Sequence, residues 1–168
     1  MTAQLAPHMR RPGGGFWGWL ALRLMRRRMR AMNEWAVALL DIQPTDRVLE
    51  IAFGAGESIA RAAARAPSGF VAGVDVSEYA VKVAARRNRA AIRAGCVALH
   101  QGDAAQVPYE DNSFDKAFCC GAIYYFPDAP GMAREVWRVL KPGGAYIILA
   151  RPPEALLAHP AFRKNKHR

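Results

Sequence analysis

An acidic residue and two glycines stand close together in the segment LEIAFGAGES, residues 49–58. Because glycine has no Cβ and tolerates positive φ, Gly54 and Gly56 let the backbone come close to a ligand. A tight strand-to-helix turn is the structural alternative for the same residues. A dinucleotide-binding loop of the form G-x-G-x-x-G would place its third glycine at position 59, where this chain has Ile59. The spacing therefore disfavours NAD as the ligand.

Two more acidic residues follow apolar segments farther along the chain. Asp75 lies near the end of FVAGVDV, residues 70–76, and a carboxylate at a strand end can accept hydrogen bonds from both hydroxyls of a ribose. The alternative is that Asp75 caps the next helix, although Ser77 already suits that role. Asp103 follows a third apolar segment, where its carboxylate can accept the exocyclic amine of an adenine while Ala104 lies against the ring. These residue types indicate an adenosine-containing ligand.

The elements that must position these residues alternate between strands and helices. Such alternation predicts an α/β fold, a Rossmann-like parallel sheet of about five strands sandwiched by helices. Ligands bind such sheets beyond the carboxyl ends of the strands, so we expect the acidic residues to meet at one edge. Apolar spacing and turn residues predict strands at about 48–51, 70–76, 96–103, 114–121 and 145–150. Helices are predicted from 16 to 40 as one piece or two, after the glycine turn up to Pro67, from Ser77 to about Arg93, and over 130–144.

The net charge of +10 belongs to the two ends of the chain. Residues 1–30 contribute +7, residues 151–168 contribute +4 and residues 31–150 contribute −1, which sum to +10. Arginine-rich ends can bind RNA, anionic lipid or an acidic partner, but a solvated surface is the simpler interpretation. Without a patch of base-stacking aromatic residues, nucleic-acid binding is disfavoured. The predicted organisation is a flexible lead (1–15), a basic and apolar helical segment (16–40), a cofactor-binding core (41–150) and a short basic tail (151–168).

Cysteine usage and hydropathy indicate a cytoplasmic protein. The three cysteines, Cys96, Cys119 and Cys120, are odd in number and form no C-x-x-C pair, so neither a disulfide framework nor a metal site is predicted. Cys119 and Cys120 are expected to be strand residues, and His100 a structural or surface residue. No apolar run reaches the roughly 18 residues that span a bilayer.

Four segments, taken in order, resemble the class I S-adenosylmethionine-dependent methyltransferases. They are VLEIAFGAGES (48–58), VAGVDVSEYAV (71–81), GDAAQVPYEDNSFDKAF (102–118) and REVWRVLKPGGAYIIL (134–149). The resemblance covers about residues 33–150 and is closest to the small-molecule methyltransferases of the ubiquinone and menaquinone biosynthesis type. It implies S-adenosyl-L-methionine as the cofactor.

The resemblance also assigns roles to individual residues. Glu50 matches the acid that organises the glycine loop near the methionine amino group, Asp75 matches the ribose-binding acid, and Asp103 matches the adenine-edge acid. The cofactor-binding residues that it implies are Glu50, Ala52, Gly54, Gly56, Asp75, Val76, Asp103 and Ala104.

This chain departs from the family pattern in two places. Ala52 stands where the family usually has the first glycine of its loop, and its methyl group is expected to crowd the methionine part of the cofactor, at a cost of about 1–3 kcal/mol. Only about 18 residues follow strand five, where the family usually has a helix and an antiparallel strand pair. We therefore expect a sheet that lacks this pair and has an exposed edge, at which a homodimer can form.

The segment CCGAIYYFPD after strand four is where an acceptor would bind. It lacks the [DN]-P-P-[YF] pattern of the family members that methylate amino groups. Tyr124 and Tyr125 are candidates for positioning a small apolar or aromatic acceptor, with core packing as the alternative, and no catalytic base stands out. The basic N-terminal helix can cover the acceptor pocket or make peripheral contact with a membrane. Two other hypotheses are a degenerate methyltransferase fold that serves as a binding module and an RNA-associated methyltransferase.

Overall fold

The computed structural model describes residues 13–151, which form five α-helices, one short 3₁₀-helix and five strands. The predicted flexible lead and basic tail lie almost entirely outside these residues. The helices are α1 (Gly15–Leu39), α2 (Glu57–Arg65), α3 (Glu78–Arg87), α4 (Arg89–Arg93) and α5 (Ala129–Val139), with the 3₁₀-helix at Ile123–Tyr125. The strands are β1 (Arg47–Ile51), β2 (Phe70–Asp75), β3 (Val97–Gln101), β4 (Phe114–Cys120) and β5 (Leu140–Leu149).

The five strands form one sheet in the order β3-β2-β1-β4-β5, and all four neighbouring pairs are parallel. The predicted Rossmann-like α/β fold is therefore confirmed. Because β1 lies between β2 and β4, the strand order changes direction on either side of it. In parallel sheets this is the point where the loops diverge and leave a crevice for a ligand.

Hydrophobic residues fill both sides of the sheet. Successive side chains of a strand point to opposite faces, so Val48 packs with α1 and α2 residues such as Val37 and Ile59, whereas Leu49 packs with α5 residues such as Val136 on the other face. By the same alternation Glu50, two residues after Val48, is on the α1 and α2 side. A carboxylate is thus held within an otherwise apolar layer.

The helix predicted over 130–144 is shorter than expected. It ends at Val139, and Leu140 already begins β5, so Pro142, Gly143 and Gly144 lie within the strand and not at a helix terminus. These residues form a bulge in β5: Phe114 pairs with Leu140 and Lys116 pairs with Ala145, so β5 has extra residues opposite this part of β4. A positive φ of 80° at Gly143 allows this bulge.

A second difference concerns the helix predicted from Ser77 to about Arg93. The Ser77 side chain caps α3 as expected, accepting a hydrogen bond from Ala80 N at 3.1 Å. Asn88 then divides the segment into α3 and α4, with backbone angles outside the helical range. Its side-chain amide is buried and donates to Ala84 O and Gly56 O, which fixes α3 to the glycine loop.

The segment before β1 forms one continuous helix, α1, of 25 residues. Within residues 13–151 no helix combines the length and the apolar character that crossing a bilayer requires.

Candidate active site

The glycine-rich loop after β1 has three residues with positive φ. Ala52, Gly54 and Gly56 have φ values of 60°, 54° and 69°. Gly56 is the N-cap residue of α2 and packs closely, since a Cβ built there would lie 2.6 Å from the Ala84 Cβ. A Cβ built on Gly54 would meet no atom within 4 Å. The loop is therefore packed against α3 at Gly56 and open at Gly54.

Asp75, the last residue of β2, connects the loop after β1 to the loop after β2. Its Oδ2 accepts a hydrogen bond from Gly54 N at 2.9 Å, and its Oδ1 accepts one from Ser77 N at 2.9 Å. Burial raises the pKa of this carboxyl group, and the two backbone hydrogen bonds oppose that effect. Each oxygen retains a second acceptor position, so the carboxylate can fix the loop and still accept a ligand hydroxyl.

Glu50 is the most unusual ionisable group of the site. It is buried, and Ser58 Oγ donates a hydrogen bond of 2.5 Å to its Oε1. Its Oε2 is buried and has no hydrogen-bond partner among the described residues. The pKa of Glu50 is raised to about 8, mainly by burial; the Ser58 hydrogen bond lowers it, and the negative charge of Asp75 contributes to the increase. Without a ligand this carboxyl group keeps its proton at neutral pH, and a cationic ligand beside it would favour the ionised form.

Two more predicted site residues lie in the loop after β3. Asp103 is exposed, and its Oδ1 accepts a hydrogen bond from Ala105 N at 2.9 Å. Ala104 is buried beside Val107 in the apolar layer. Val76, which follows β2, is exposed. All three follow the carboxyl ends of their strands, as the sequence predicts.

A pocket of about 50 Å³ lies between the glycine loop and α1. It brings together three of the predicted residues, Glu50, Ala52 and Gly54, but its described lining does not include Asp75, Val76, Asp103 or Ala104. The described residues that line it are Leu22, Met25, Met29, Asn33, Glu50, Ala52, Phe53, Gly54, Ala55, Glu57, Ser58 and Cys120. Sequence reasoning missed Asn33 and Ser58. The sequence gives a reason to consider Ser58, since it lies in the first turn of the helix after the glycine loop, but it gives none for Asn33.

Polar and apolar contacts hold α1 over this pocket. Arg61 of α2 donates to Glu34 of α1 and to Glu57, each at 2.7 Å. At the β4 end, Met29 packs so closely on Gly121 that a Cβ there would lie 2.3 Å from the Met29 Cε. Helix α1 therefore contacts the loops after both β1 and β4.

The aromatic residues after β4 lie in the 3₁₀-helix. Tyr124 and Tyr125 are partly buried with their rings 6.0 Å apart, and Tyr124 Oη accepts a hydrogen bond from Arg151 N. Burial raises the pKa of Tyr125. Neither tyrosine is among the described residues that line the pocket. The two tyrosines thus follow the carboxyl end of β4, but they do not line the pocket that contains Glu50.

The cysteines and His100 have structural surroundings. Cys119 and Cys120 are buried in β4, and burial raises the pKa of Cys119 to about 12 and that of Cys120 even more. His100 Nε2 is 2.9 Å from Tyr109 Oη, and the two rings meet edge to face. These surroundings favour packing roles, because a reactive thiol needs a lowered pKa.

A parallel sheet with a glycine loop at its switch point and acids at its strand ends defines a class of nucleoside-binding α/β proteins. The family model described as methyltransferase domain matches residues 49–148. The demethylmenaquinone methyltransferase of Symbiobacterium thermophilum is 38% identical over 114 residues, which are 67% of this chain and 45% of that protein. The 24-methylenesterol C-methyltransferase 2 of Arabidopsis thaliana is 35% identical over 121 residues, 70% of this chain and 32% of that protein. The solved YcgJ protein of Bacillus subtilis matches with a TM-score of 0.60 at 32% identity, covering 71% of this chain and 50% of that chain.

The chain belongs to the class I S-adenosylmethionine-dependent methyltransferases, as its four segments indicate. It spans less than half the length of the two curated relatives named above.

The residues at the carboxyl edge of the sheet fit the cofactor of this family. Glu50 lines the pocket, and its Oε2, which has no hydrogen-bond partner within residues 13–151, can accept a hydrogen bond from the ammonium group of the cofactor. The space above Gly54 is open to a ligand, and the Asp75 carboxylate beside it can accept hydroxyl groups. One misfit concerns Ala52, whose methyl group lies in the pocket lining where a glycine would leave more room.

Proposed function

We propose that this chain transfers a methyl group from S-adenosylmethionine to a small apolar or aromatic acceptor. The observation that supports the proposal most strongly is the arrangement of Glu50, Gly54 and Asp75: the Asp75 carboxylate accepts from Gly54 N, and Glu50 Oε2 has no partner in the described part of the chain. The relatives support the acceptor class, because their names refer to demethylmenaquinone and a methylenesterol, both apolar molecules.

Each acidic residue has a distinct binding role in this proposal. When bound, S-adenosylmethionine supplies an activated methyl group on a sulfonium. Glu50 holds the ammonium of its methionine part, Asp75 accepts from the ribose hydroxyls and Asp103 accepts from the adenine amine. Gly54 lets the backbone approach the cofactor, and Gly56, Ala52, Val76 and Ala104 shape the surrounding surface.

The acceptor is positioned by the aromatic segment after β4. Tyr125 keeps its proton at neutral pH, since its ordinary pKa of 10 is raised further by burial, and a protonated hydroxyl can donate a hydrogen bond to an acceptor oxygen. Tyr124 and Phe126 supply apolar ring surface next to it. Holding the acceptor in line with the transferred methyl group accounts for much of the rate in reactions of this type.

The cellular location is proposed to be the cytoplasm. The free thiols Cys96, Cys119 and Cys120 support this, because a reducing compartment keeps cysteines unpaired.

The test is calorimetric titration with S-adenosylmethionine and its demethylated product, followed by a transfer assay with a demethylated quinone. We expect binding of both cofactor forms and transfer to the quinone. Asp75→Ala should abolish binding, whereas Glu78→Ala, a neighbouring exposed acid that pairs with Lys82, should retain it. No heat of binding at high micromolar cofactor would overturn the proposal. Binding without transfer to any apolar acceptor would favour the binding-module hypothesis instead.

A further inference from the structure

The loop between β3 and β4, residues 102–113, carries Asp103 in a turn near its start. Gln106 N donates a hydrogen bond to Asp103 O at 3.0 Å, which closes this turn. Just before the turn, Gly102 N donates to Asp75 O at 3.0 Å and ties the loop to the end of β2. A turn that is held at one end can still swing about that attachment, so the contacts that follow Gln106 decide where Asp103 lies.

Two charged residues of α5 provide the attachment after the turn. Glu135 Oε2 accepts a hydrogen bond from Val107 N at 3.0 Å, and Arg138 Nη2 donates one to Val107 O at 3.1 Å. Arg138 Nη1 also donates to Tyr109 O at 2.9 Å and to Asp111 Oδ1 at 2.8 Å. Both backbone polar groups of Val107, the first residue after the turn, are therefore bonded to α5.

Glu135 and Arg138 also orient each other. The guanidinium donates from Nε to Oε1 and from Nη2 to Oε2, each at 2.9 Å, so the two planar groups form a bidentate pair. Ala104 and Val107 are buried in the apolar layer beneath the loop, but hydrophobic packing has no preferred direction. The charged pair therefore fixes the orientation of the loop backbone, which packing of these two side chains does not determine.

Helix α5 itself does not depend on this pair for its attachment to the sheet. Its residues Met132, Val136 and Val139 are buried in the same apolar layer. Because that packing already holds α5, the hydrogen bonds of Glu135 and Arg138 serve to hold the loop against the helix.

We propose that Glu135 and Arg138 are positioning residues for recognition of the adenine ring of the cofactor. By fixing Val107, they hold the turn where the Asp103 carboxylate can accept a hydrogen bond from the exocyclic amine. The inference rests on the proposed function, which assigns that hydrogen bond to Asp103. It adds that selectivity for adenine depends on two residues of α5, neither of which is among the described residues that line the pocket.

The experiment is calorimetric titration of the full chain with S-adenosylhomocysteine, the demethylated cofactor, and with S-inosylhomocysteine. The second ligand has a carbonyl oxygen in place of the adenine amine, so it presents an acceptor to the Asp103 carboxylate. We expect the wild type to bind the adenosyl ligand at least about tenfold more tightly, as one hydrogen bond to a charged group would produce. Arg138→Gln should lose most of this preference, because the turn is no longer held at Val107.

Further variants separate positioning from a general loss of structure. Arg134→Gln removes an arginine of the same helix that is 74% exposed and should keep the wild-type preference. Glu135→Ala should lose the preference, whereas Glu135→Gln should retain much of it, since its amide oxygen can still accept from Val107 N. Asp103→Ala/Arg138→Gln should have the same preference as Asp103→Ala alone, because both changes remove the same hydrogen bond. Thermal unfolding shows whether each variant is folded at the temperature of the titration.

The possible outcomes distinguish this inference from the proposed function. If Arg138→Gln keeps the preference, if Arg134→Gln loses it equally, or if the wild type binds both ligands equally, the inference is overturned and the proposed methyl transfer stands. If Arg138→Gln does not fold, the Glu135 variants decide, and equal preference in Glu135→Ala and Glu135→Gln would overturn the inference. A wild type that gives no heat with either ligand contradicts the proposed function, and the inference fails with it.

Discussion

The Glu50 carboxyl group makes the stability of the folded protein depend on pH. Its pKa is about 8 in the folded state against an ordinary value of 4.5. Between these two values the folded state keeps a proton that the unfolded chain has released. The free energy of unfolding therefore falls as pH rises from about 4.5 to about 8 and, for this group, stays constant above that.

We expect Glu50→Gln to remove most of this dependence, because glutamine has no proton to lose. At about 1.4 kcal/mol per pKa unit, the wild type should lose a few kcal/mol across the interval. Urea unfolding of both proteins over a series of pH values measures the effect. Parallel pH profiles for the two would show that Glu50 is not the responsible group.

The backbone conformation of Ala52 lowers the stability of the folded protein. Its φ of 60° lies in the left-handed region, which costs a residue with a side chain roughly 1–2 kcal/mol. Ala52→Gly should raise the free energy of unfolding by about 1 kcal/mol, because the greater freedom of glycine in the unfolded chain offsets part of the gain. The added room in the pocket should also tighten cofactor binding.

Ala55→Gly is the matched control for this variant, since Ala55 is in the same loop but is not among its positive-φ residues. It should leave stability unchanged or lower it slightly, as measured by urea unfolding. A stabilisation by Ala55→Gly equal to that by Ala52→Gly would contradict the argument from φ.

At the scale of elements, two glycines of the same loop have different roles: Gly56 packs against α3, and Gly54 borders the cofactor site. Gly56→Ala would place a Cβ 2.6 Å from the Ala84 Cβ, so the contact between the loop and α3 must shift. Gly54→Ala adds a Cβ to open space. We expect Gly56→Ala to lower the melting temperature markedly, and Gly54→Ala to lower it by less while losing most cofactor affinity. Thermal unfolding measures the melting temperature and calorimetry measures the cofactor affinity. If the two variants lost the same amount of each, the two glycines would not have separate roles.

Sequence patterns predicted the order of the elements along the chain and the strand ends at which the candidate site residues lie. The strand pattern and the residues Glu50, Gly54, Asp75 and Asp103 were sufficient, because strand ends in a parallel sheet converge at one edge. The cap at Ser77 was also predictable, since its hydrogen bond is local.

Features that depend on contacts between distant residues could not be predicted. Asn88 divides a helix-like segment because its amide reaches the glycine loop 32 residues away. Leu140 pairs with Phe114 in the sheet and so ends α5 before the glycines that signal a helix stop. Asn33 lies at the pocket only because α1 folds back over β1.

At the scale of the whole molecule, β5 is the feature that bears on assembly, because it is an edge strand of the sheet within residues 13–151. Strand β5 has a neighbouring strand, β4, on one side only among the described residues, and its Ile148 is exposed. Since an unpaired strand edge can pair with another chain, we propose a homodimer through β5.

Ile148→Lys places a charge on this edge and should shift the protein toward monomer. Sedimentation velocity over a range of protein concentrations measures the shift, and Trp137→Lys, on the nearby helix α5, serves as the control. A wild type that stays monomeric at every concentration would show that the edge does not mediate dimers.

The position of α1 over the pocket has a consequence for how fast the cofactor can bind. Ligand pockets commonly measure roughly 300 Å³ or more, whereas the space beneath α1 is about 50 Å³. We therefore expect that α1 must move away from the glycine loop before the methionine part of the cofactor can bind beside Glu50. In stopped-flow experiments that follow tryptophan fluorescence, the observed rate should level off as cofactor concentration rises. Arg61→Ala, which removes the ion pair between α1 and α2, should raise that plateau, and a rate that keeps increasing linearly would show that the pocket is already open in solution.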